Sequence, residues 1–335
     1  MHSSNQKHPS LLRRHSLLGV VLLVALFPLL FAACRSAPEP EQEVSRKNQA
    51  ARFAEFGNTQ YNRGNYDLAL RYFDLSLAEN VAIDNLPGIA QSYNSIGRVF
   101  IAAGNTREAE ANFRSAIQFA DLAGSSEHRM QAHVNLAVVA LQNDDEESAR
   151  QYLDLARAAV EAREAKPNSI LYHNLGILYA RQNRFDEARS NIDRARSLNQ
   201  EDRRWPELAS NHYMLASILS RQGRYPEALE EAKRALDYDK RAENSPGIAA
   251  DLYALGKISA NMEDHEDAYQ YYLRSLRIHL ALNQPGPSME LLALLEETAL
   301  RTNREQEAVE FAAQRERIES ALTSRLAPRE RETAR

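Results

Sequence analysis

The sequence predicts an all-α solenoid of about seven stacked helix-turn-helix repeats, and three observations carry that prediction. Seven alanines, Ala69, Ala109, Ala149, Ala188, Ala228, Ala268 and Ala308, recur at steps of 40, 40, 39, 40, 40 and 40 residues. Within each step, apolar residues fall at helical spacing in two runs divided by a turn residue. A small residue recurs in the first run as the alanine does in the second. A period of this length marks units too small to bury their own apolar face, which gain stability by stacking on their neighbours.

The N-terminal segment bears on location. Residues 1–15 hold Lys7, Arg13, Arg14 and His15 and no acid, and the apolar run LLGVVLLVALFPLLFAA follows over Leu17–Ala33. A basic start, a short apolar core and small residues before a cleavage point predict a secretory signal over residues 1–33. Cys34, the only cysteine of the 335 residues, follows directly in FAAC. This resembles a bacterial lipobox, with Phe31 where leucine is commonest, and the resemblance implies cleavage before Cys34 and its lipidation. The alternative is an uncleaved anchor, for which 17 residues containing Pro28 stand at the lower length limit. Either way the folded part lies outside the cytoplasm, because the arginines stay inside. Two or more acyl chains, at about 0.8 kcal/mol per buried methylene, anchor stably. Arg35 replaces the aspartate that retains enteric lipoproteins at the inner membrane. In a Gram-negative cell, the resemblance therefore implies the periplasmic face of the outer membrane.

Removing residues 1–33 takes three basic residues from a chain of formal charge −5 and leaves a net charge near −8. An acidic chain disfavours nucleic acid as a partner. A single cysteine permits no intramolecular disulfide, so the domain is held by its core, for which about 300 residues suffice. Residues 35–48, RSAPEPEQEVSRKN, read as a solvated tether that follows the lipidated Cys34. The solenoid is expected over 49–325, with repeats starting near 50, 90, 130, 169, 209, 249 and 289. A polar, fraying tail over 326–335 follows.

Laid under one another, the units show FAEFGNTQYNRGNYDLALRYFDLSL, YNSIGRVFIAAGNTREAEANFRSAI, YHNLGILYARQNRFDEARSNIDRA and HYMLASILSRQGRYPEALEEAKRAL. The first helix of each unit (helix A) carries a large-small pair: Phe56-Gly57, Ile96-Gly97, Leu136-Ala137, Leu175-Gly176, Leu215-Ala216 and Leu255-Gly256. The small member lets the second helix (helix B) come close, and the ladder alanine does the same from helix B. Gly64, Gly104, Asn183 and Gly223 mark the turns between them. Apolar knobs at Phe73, Phe113, Leu153, Ile192 and Tyr272 are expected to fill the space between helix B and the next helix A.

Over roughly residues 50–322 this pattern resembles the tetratricopeptide-repeat family, which implies a right-handed α-α superhelix. The usual member repeats every 34 residues and closes helix B with proline. Here the corresponding places are Val81, Asp121, Glu161, Gln200, Lys240 and Leu280. The extra residues are expected to lengthen helix B and the connector, where Pro87-Gly88, Pro167, Pro206, Pro246-Gly247 and Pro285-Gly286 fall. The 40-residue form with PGxA is similar to the peptide-binding repeats of kinesin light chains and G-protein-regulator adaptors. The seventh unit breaks the pattern with Glu296, Ala312 and Arg315 at core positions, as a capping unit does.

The resemblance assigns function to the concave face lined by helix A. Its inward positions are Asn58, Asn62, Asn94, Arg98, Asn135, Gln142, His173, Asn174, Arg181, Tyr213, Ser217, Arg221, Lys257 and Asn261. An asparagine amide matches an extended peptide's own N–H and C=O at almost any side chain. Arg98, Arg181, Arg221 and Lys257 would suit a partner segment bearing carboxylates. Alternatively, these asparagines are simply solvated or bond a neighbouring turn.

Catalysis is not expected. His128, His133, His173, His212, His265 and His279 show no paired metal-ligand spacing, and the sequence has no phosphate loop and no GxSxG. His133 and His212 occupy a position given to core packing. Asp144-Asp145-Glu146-Glu147 suits a helix start, and Glu296-Glu297 an exposed face. The expected function is a lipid-anchored scaffold for a protein or peptide partner in the cell envelope, needing no cofactor and no metal. By resemblance it would serve as an assembly adaptor in pilus secretin, outer-membrane or peptidoglycan machinery. An accessory subunit of a periplasmic transport or solute-delivery complex is the alternative. Oligomeric state and partner identity are left open.

Overall fold

The computed structural model describes residues 41–326 and shows fourteen α-helices among them, with no strand. The signal expected over 1–33, the lipidation expected at Cys34 and the tail expected beyond 326 lie outside the described residues. The helices pair as seven units. They are α1 (Glu41–Asn62) with α2 (Tyr66–Ala82), α3 (Leu86–Ala102) with α4 (Thr106–Leu122), and α5 (Ser126–Gln142) with α6 (Glu146–Glu161). Next come α7 (Ser169–Arg181) with α8 (Phe185–Glu201), and α9 (Trp205–Arg221) with α10 (Tyr225–Arg241). The stack ends with α11 (Ser245–Asn261) beside α12 (His265–Ala281), and α13 (Pro285–Arg301) beside α14 (Glu305–Leu326). Each helix packs on the one before and the one after, giving an all-α superhelix.

The 40-residue period has a simple geometric origin that differs from the expected one. Most helices, of either kind, have 17 residues and are joined by three-residue connectors. The added length is therefore shared between helices A and B, and the connectors are short. Both kinds of connector use the same turn. Its central residue has positive φ at Gly64, Gly104, Asn183 and Gly223 as expected, and also at Asp84, Gly124, Asp144, Arg203, Glu243, Glu263, Asn283 and Asn303. The residue after it donates its N–H to a carbonyl five positions back, as from Asn65 to Gln60 and from Asn85 to Asn80, both at 2.9 Å. These bonds satisfy helix-end carbonyls by the Schellman arrangement. Pro87, Pro206, Pro246 and Pro285 lie inside the first turn of helix A, where a missing N–H costs nothing, and Pro167 alone of the expected breakers lies in a connector.

That connector, residues 162–168, is longer than the others by as much as the following helix is shorter, and the single step of 39 comes from α6, which has 16 residues rather than 17. α7 is shortened to 13 residues and is capped by Asn168, whose side chain accepts from the N–H of Ile170 and Leu171. The connector is tied back to α5, where the Glu127 carboxylate accepts from the Lys166 N–H at 3.0 Å.

Another difference lies at the start. Helix α1 reaches back to Glu41, so the segment expected to be a tether over 35–48 is helical from that point. Its residues are polar but good helix formers, with acids at the positive helix end. Arg46 pairs with Glu79 of α2 at 3.1 Å. Phe56 of α1 is exposed, although its counterparts Ile96, Leu136, Leu175, Leu215 and Leu255 are buried.

The core follows the two small-residue ladders. All seven ladder alanines are buried. The knobs lie over the small residue of helix A in their own unit. A Cβ added at Gly57 would sit 2.6 Å from Phe73, and at Gly97, Gly176 and Gly256 it would sit 2.5 Å from Phe113, Ile192 and Tyr272. Phe73 and Phe113 also reach apolar residues of the next helix A, so the expected inter-unit packing is half of their role. Knob and small residue vary together: Ala137 goes with Leu153, and Ala216 with Ala232. In the seventh unit the sizes are reversed, Glu296 standing with Ala312. The two charged departures neutralise each other there, Arg315 meeting Glu296 at 3.0 Å.

Gly104 isolates the cost of the turn from that of packing. Its φ is +79° and a Cβ there would meet nothing within 4 Å. Gly104→Ala is therefore expected to lose about 1 kcal/mol from backbone strain alone, measured by urea unfolding. A neutral result would show that the turn relaxes.

Candidate partner-binding groove

The candidate groove residues all lie on the first helix of their units, and the structure separates those that are available from those already engaged. Asn58 and Asn62 are exposed. They line a cleft of about 660 Å³ between α1 and α3, walled by Ala51, Ala54, Gln91 and Ser95 and floored by Asn80, Asn85 and Ser92. The floor is a bonded set: Asn85 donates to Asn80 Oδ1 at 2.7 Å, and Asn80 donates to Ser92 Oγ at 3.3 Å. Gly88 makes this possible, since a Cβ there would lie 2.2 Å from Asn80 Oδ1.

Three of the expected asparagines are engaged within the chain. Asn94 is buried and donates to the His128 carbonyl at 3.2 Å, while Asn135 donates to Asn94 Oδ1 at 3.3 Å. Asn174 is buried and donates to the Ile170 carbonyl of its own helix at 2.9 Å. An amide bonded in this way has less to offer a peptide. The cations are likewise engaged. Arg181 pairs with Asp144 at 2.8 Å, and Arg221 donates to the Ala180 carbonyl and to Asn183 Oδ1 at 2.6 and 2.7 Å. Arg98 lies 4.9 Å from the Tyr61 ring centre and Lys257 5.4 Å from that of Tyr253. Gln142 and Asn261 are exposed at the ends of their helices, and Ser217 is half-buried.

His173 closes the groove between α7 and α9. Its Nδ1 accepts from Asn211 Nδ2 at 2.9 Å, which leaves the proton on Nε2, 3.4 Å from Ser210 Oγ. Burial lowers its pKa to about 4, so it is a neutral plug. His212 is buried against Tyr238 and bonded to Glu231 at 2.6 Å, and His133 stacks near Tyr152. Both are packing residues, as expected. Asp145 caps α6 by accepting from the Ser148 N–H.

Tyr213 belongs to a second cleft, of about 230 Å³, between α9 and α11. It occupies the same place, four units on, as the first cleft. Here the floor is Asp239, Asn244 and Asp251, in the places of Asn80, Asn85 and Ser92. Asp239 and Asp251 are buried, and Asn244 donates to Asp239 Oδ1 at 2.9 Å. Asp251 Oδ2 receives no donor from the described residues. Burial first, and then the neighbouring Asp239 carboxylate, push Asp251 up to about 8, and burial raises Asp239 as well. The two titrate as a pair holding one proton at neutral pH. This pair escaped the sequence reading. Its signal was Gly247, eight residues after Asp239 just as Gly88 follows Asn80, together with an acid where the other units carry Arg52, Ser92, Ala132, Leu171, Asn211 and Leu291.

Tetratricopeptide-repeat family profiles match residues 49–121, 168–241 and 207–281, and a further one matches 94–170. The chain belongs to the tetratricopeptide-repeat family. No curated protein matches this tetratricopeptide-repeat (TPR) chain in sequence. Among solved structures, pilF of Pseudomonas aeruginosa is 20% identical at a TM-score of 0.50, the match covering 68% of this chain and 91% of that one. A Rap protein complexed with competence and sporulation factor is 14% identical at 0.59, covering 82% and 76%. The APC/C hetero-tetramer Cut9–Hcn1 gives 15% and 0.59, covering 77% of this chain and 44% of that one. These likenesses establish the fold. TPR proteins are in general non-catalytic scaffolds, and the fold supports binding of a protein partner.

Proposed function

We propose that this TPR protein is a lipid-anchored scaffold of the cell envelope that receives a protein or peptide partner along its helix A face, as an assembly adaptor. The observation that carries the reading is the open cleft between α1 and α3, where Asn58 and Asn62 are exposed over a satisfied polar floor. Amides in that setting bond an extended chain without demanding a particular side chain. The Rap protein, of the same fold, is seen with a bound factor. The FAAC sequence supports the anchor. Only residues 35–40 separate Cys34 from α1. At roughly 3.5 Å per residue, the start of α1 would stand within about 25 Å of the lipid.

Crosslinking in intact cells tests both parts. Asn58→Ala with Asn62→Ala is expected to reduce capture of envelope partners several-fold. Both side chains are exposed, so stability should change by no more than about 0.5 kcal/mol. Undiminished capture would remove the cleft from the binding surface. In the same experiment, Cys34→Ala is expected to move the protein out of the membrane fraction, and retention there would favour an uncleaved anchor.

A further inference from the structure

The second cleft differs from the first in charge. Two buried carboxyl groups replace an asparagine and a serine, while the walls of Pro206, Ala209, Tyr213 and Ala250 contribute no cation. The groups acting on Asp251 are Asp239 of α10 and, across the cleft, Tyr213 of α9, whose phenol is itself raised by burial and by Asp251. Asp239 and Asp251 are hydrogen-bonded to each other, Asn244 donates to Asp239, and Asp251 Oδ2 receives no donor among the described residues. Gly247 maintains the arrangement: a Cβ there would lie 1.9 Å from Asp239 Oδ2. With the Asn244 donor and one shared proton between them, the two carboxyl groups remain short of positive charge, and burial without full compensation is costly.

We propose that the cleft between α9 and α11 is a binding site for an alkyl-linked cation, a lysine or arginine side chain of the partner, with Asp239 and Asp251 as its counter-charges. A volume of about 230 Å³ accommodates such a side chain. The apolar walls of Ala209, Pro206 and Ala250 take its methylenes, and Tyr213 lines the same cleft. Entry of the cation lets both carboxyl groups ionise, and the shared proton leaves to solvent. Binding is thereby coupled to release of one proton below the pair's pKa. This site rests on the groove reading for its biological partner, but its chemistry can be tested without one.

The probes are n-butylammonium, n-butylguanidinium and, as a neutral counterpart, n-butanol. Each is titrated into the full chain while the Gly247 N–H and Asn244 side-chain amide signals are followed by NMR. At least one of the two cations is expected to shift both signals saturably, and butanol is not. Apparent affinity should rise about tenfold per pH unit from pH 6 to 8 and then level off. A response to butylammonium alone assigns lysine, and to butylguanidinium alone arginine. Asp251→Asn should abolish the response, as should Asp251→Ser, which restores the residue type of the first cleft. No saturable shift, an equal shift with butanol, or a shift that survives both substitutions would overturn the site. Because no protein partner is used, that result would leave the capture experiment at Asn58 and Asn62 unaffected, and the reverse also holds.

Discussion

Asp251→Asn is expected to stabilise the protein, by an amount that grows as pH rises from about 4 to about 8. In the unfolded chain Asp251 ionises near its ordinary value of 3.8, whereas in the fold it holds its proton to about 8. Between those limits the folded state carries more protons than the unfolded state. Stability contributed by this group is therefore full at low pH and is lost as pH rises through that window. Asparagine keeps the shape, carries no charge at any pH, and offers Asp239 a permanent donor. The gain should be small at pH 4 and on the order of 2–4 kcal/mol at pH 8. Urea unfolding of both proteins at pH 5, 7 and 9 measures it. Parallel pH profiles would show that the two carboxyl groups do not share a proton.

Phe113→Ala is expected to cost about 3–5 kcal/mol, the range for emptying the place of a fully buried aromatic ring. Phe113 has no exposed surface and packs with Ala109, Leu136 and Val139, joining the second unit to the third. It also presses on Gly97. Gly97→Ala alone overfills the same space and should cost about 1–3 kcal/mol. The double variant reproduces the Ala216–Ala232 pairing of the fifth unit. Its cost should fall below the sum of the two single changes by about 1 kcal/mol or more. Strict additivity in urea unfolding would show that knob and small residue are independent. In a stack stabilised by neighbour contacts, faster amide exchange should be concentrated in α1–α5.

Much of the fold could be read in the residues themselves. The pairing of a large knob with a glycine follows from how closely two helices must approach, and that requirement repeats with the chain. The turn residues at Gly64 and Gly104 were equally plain. The connectors were harder to read, because Arg203, Glu243 and Glu263 adopt positive φ without a residue type that announces it. The start of α1 was hidden by composition, since RSAPEPEQEVSRKN is polar enough to suggest a solvated tether, yet Arg46 finds Glu79 once α2 is beside it.

The groove was legible only as a face. Asn58, Asn94, His173 and Tyr213 do lie on helix A, but spacing within one helix says nothing of what the next unit brings. Asn94 is taken by His128 and Asn135, Arg181 by Asp144, and Arg221 by a carbonyl of α7. Sequence by itself determined the number of units, their helix pairs and the small residues between them, because these obey a local period. Tertiary structure alone decided which inward side chains are spent and which are free. It also brought Asp239 and Asp251 together from different helices, because burial and partnership depend on neighbours that no single repeat contains.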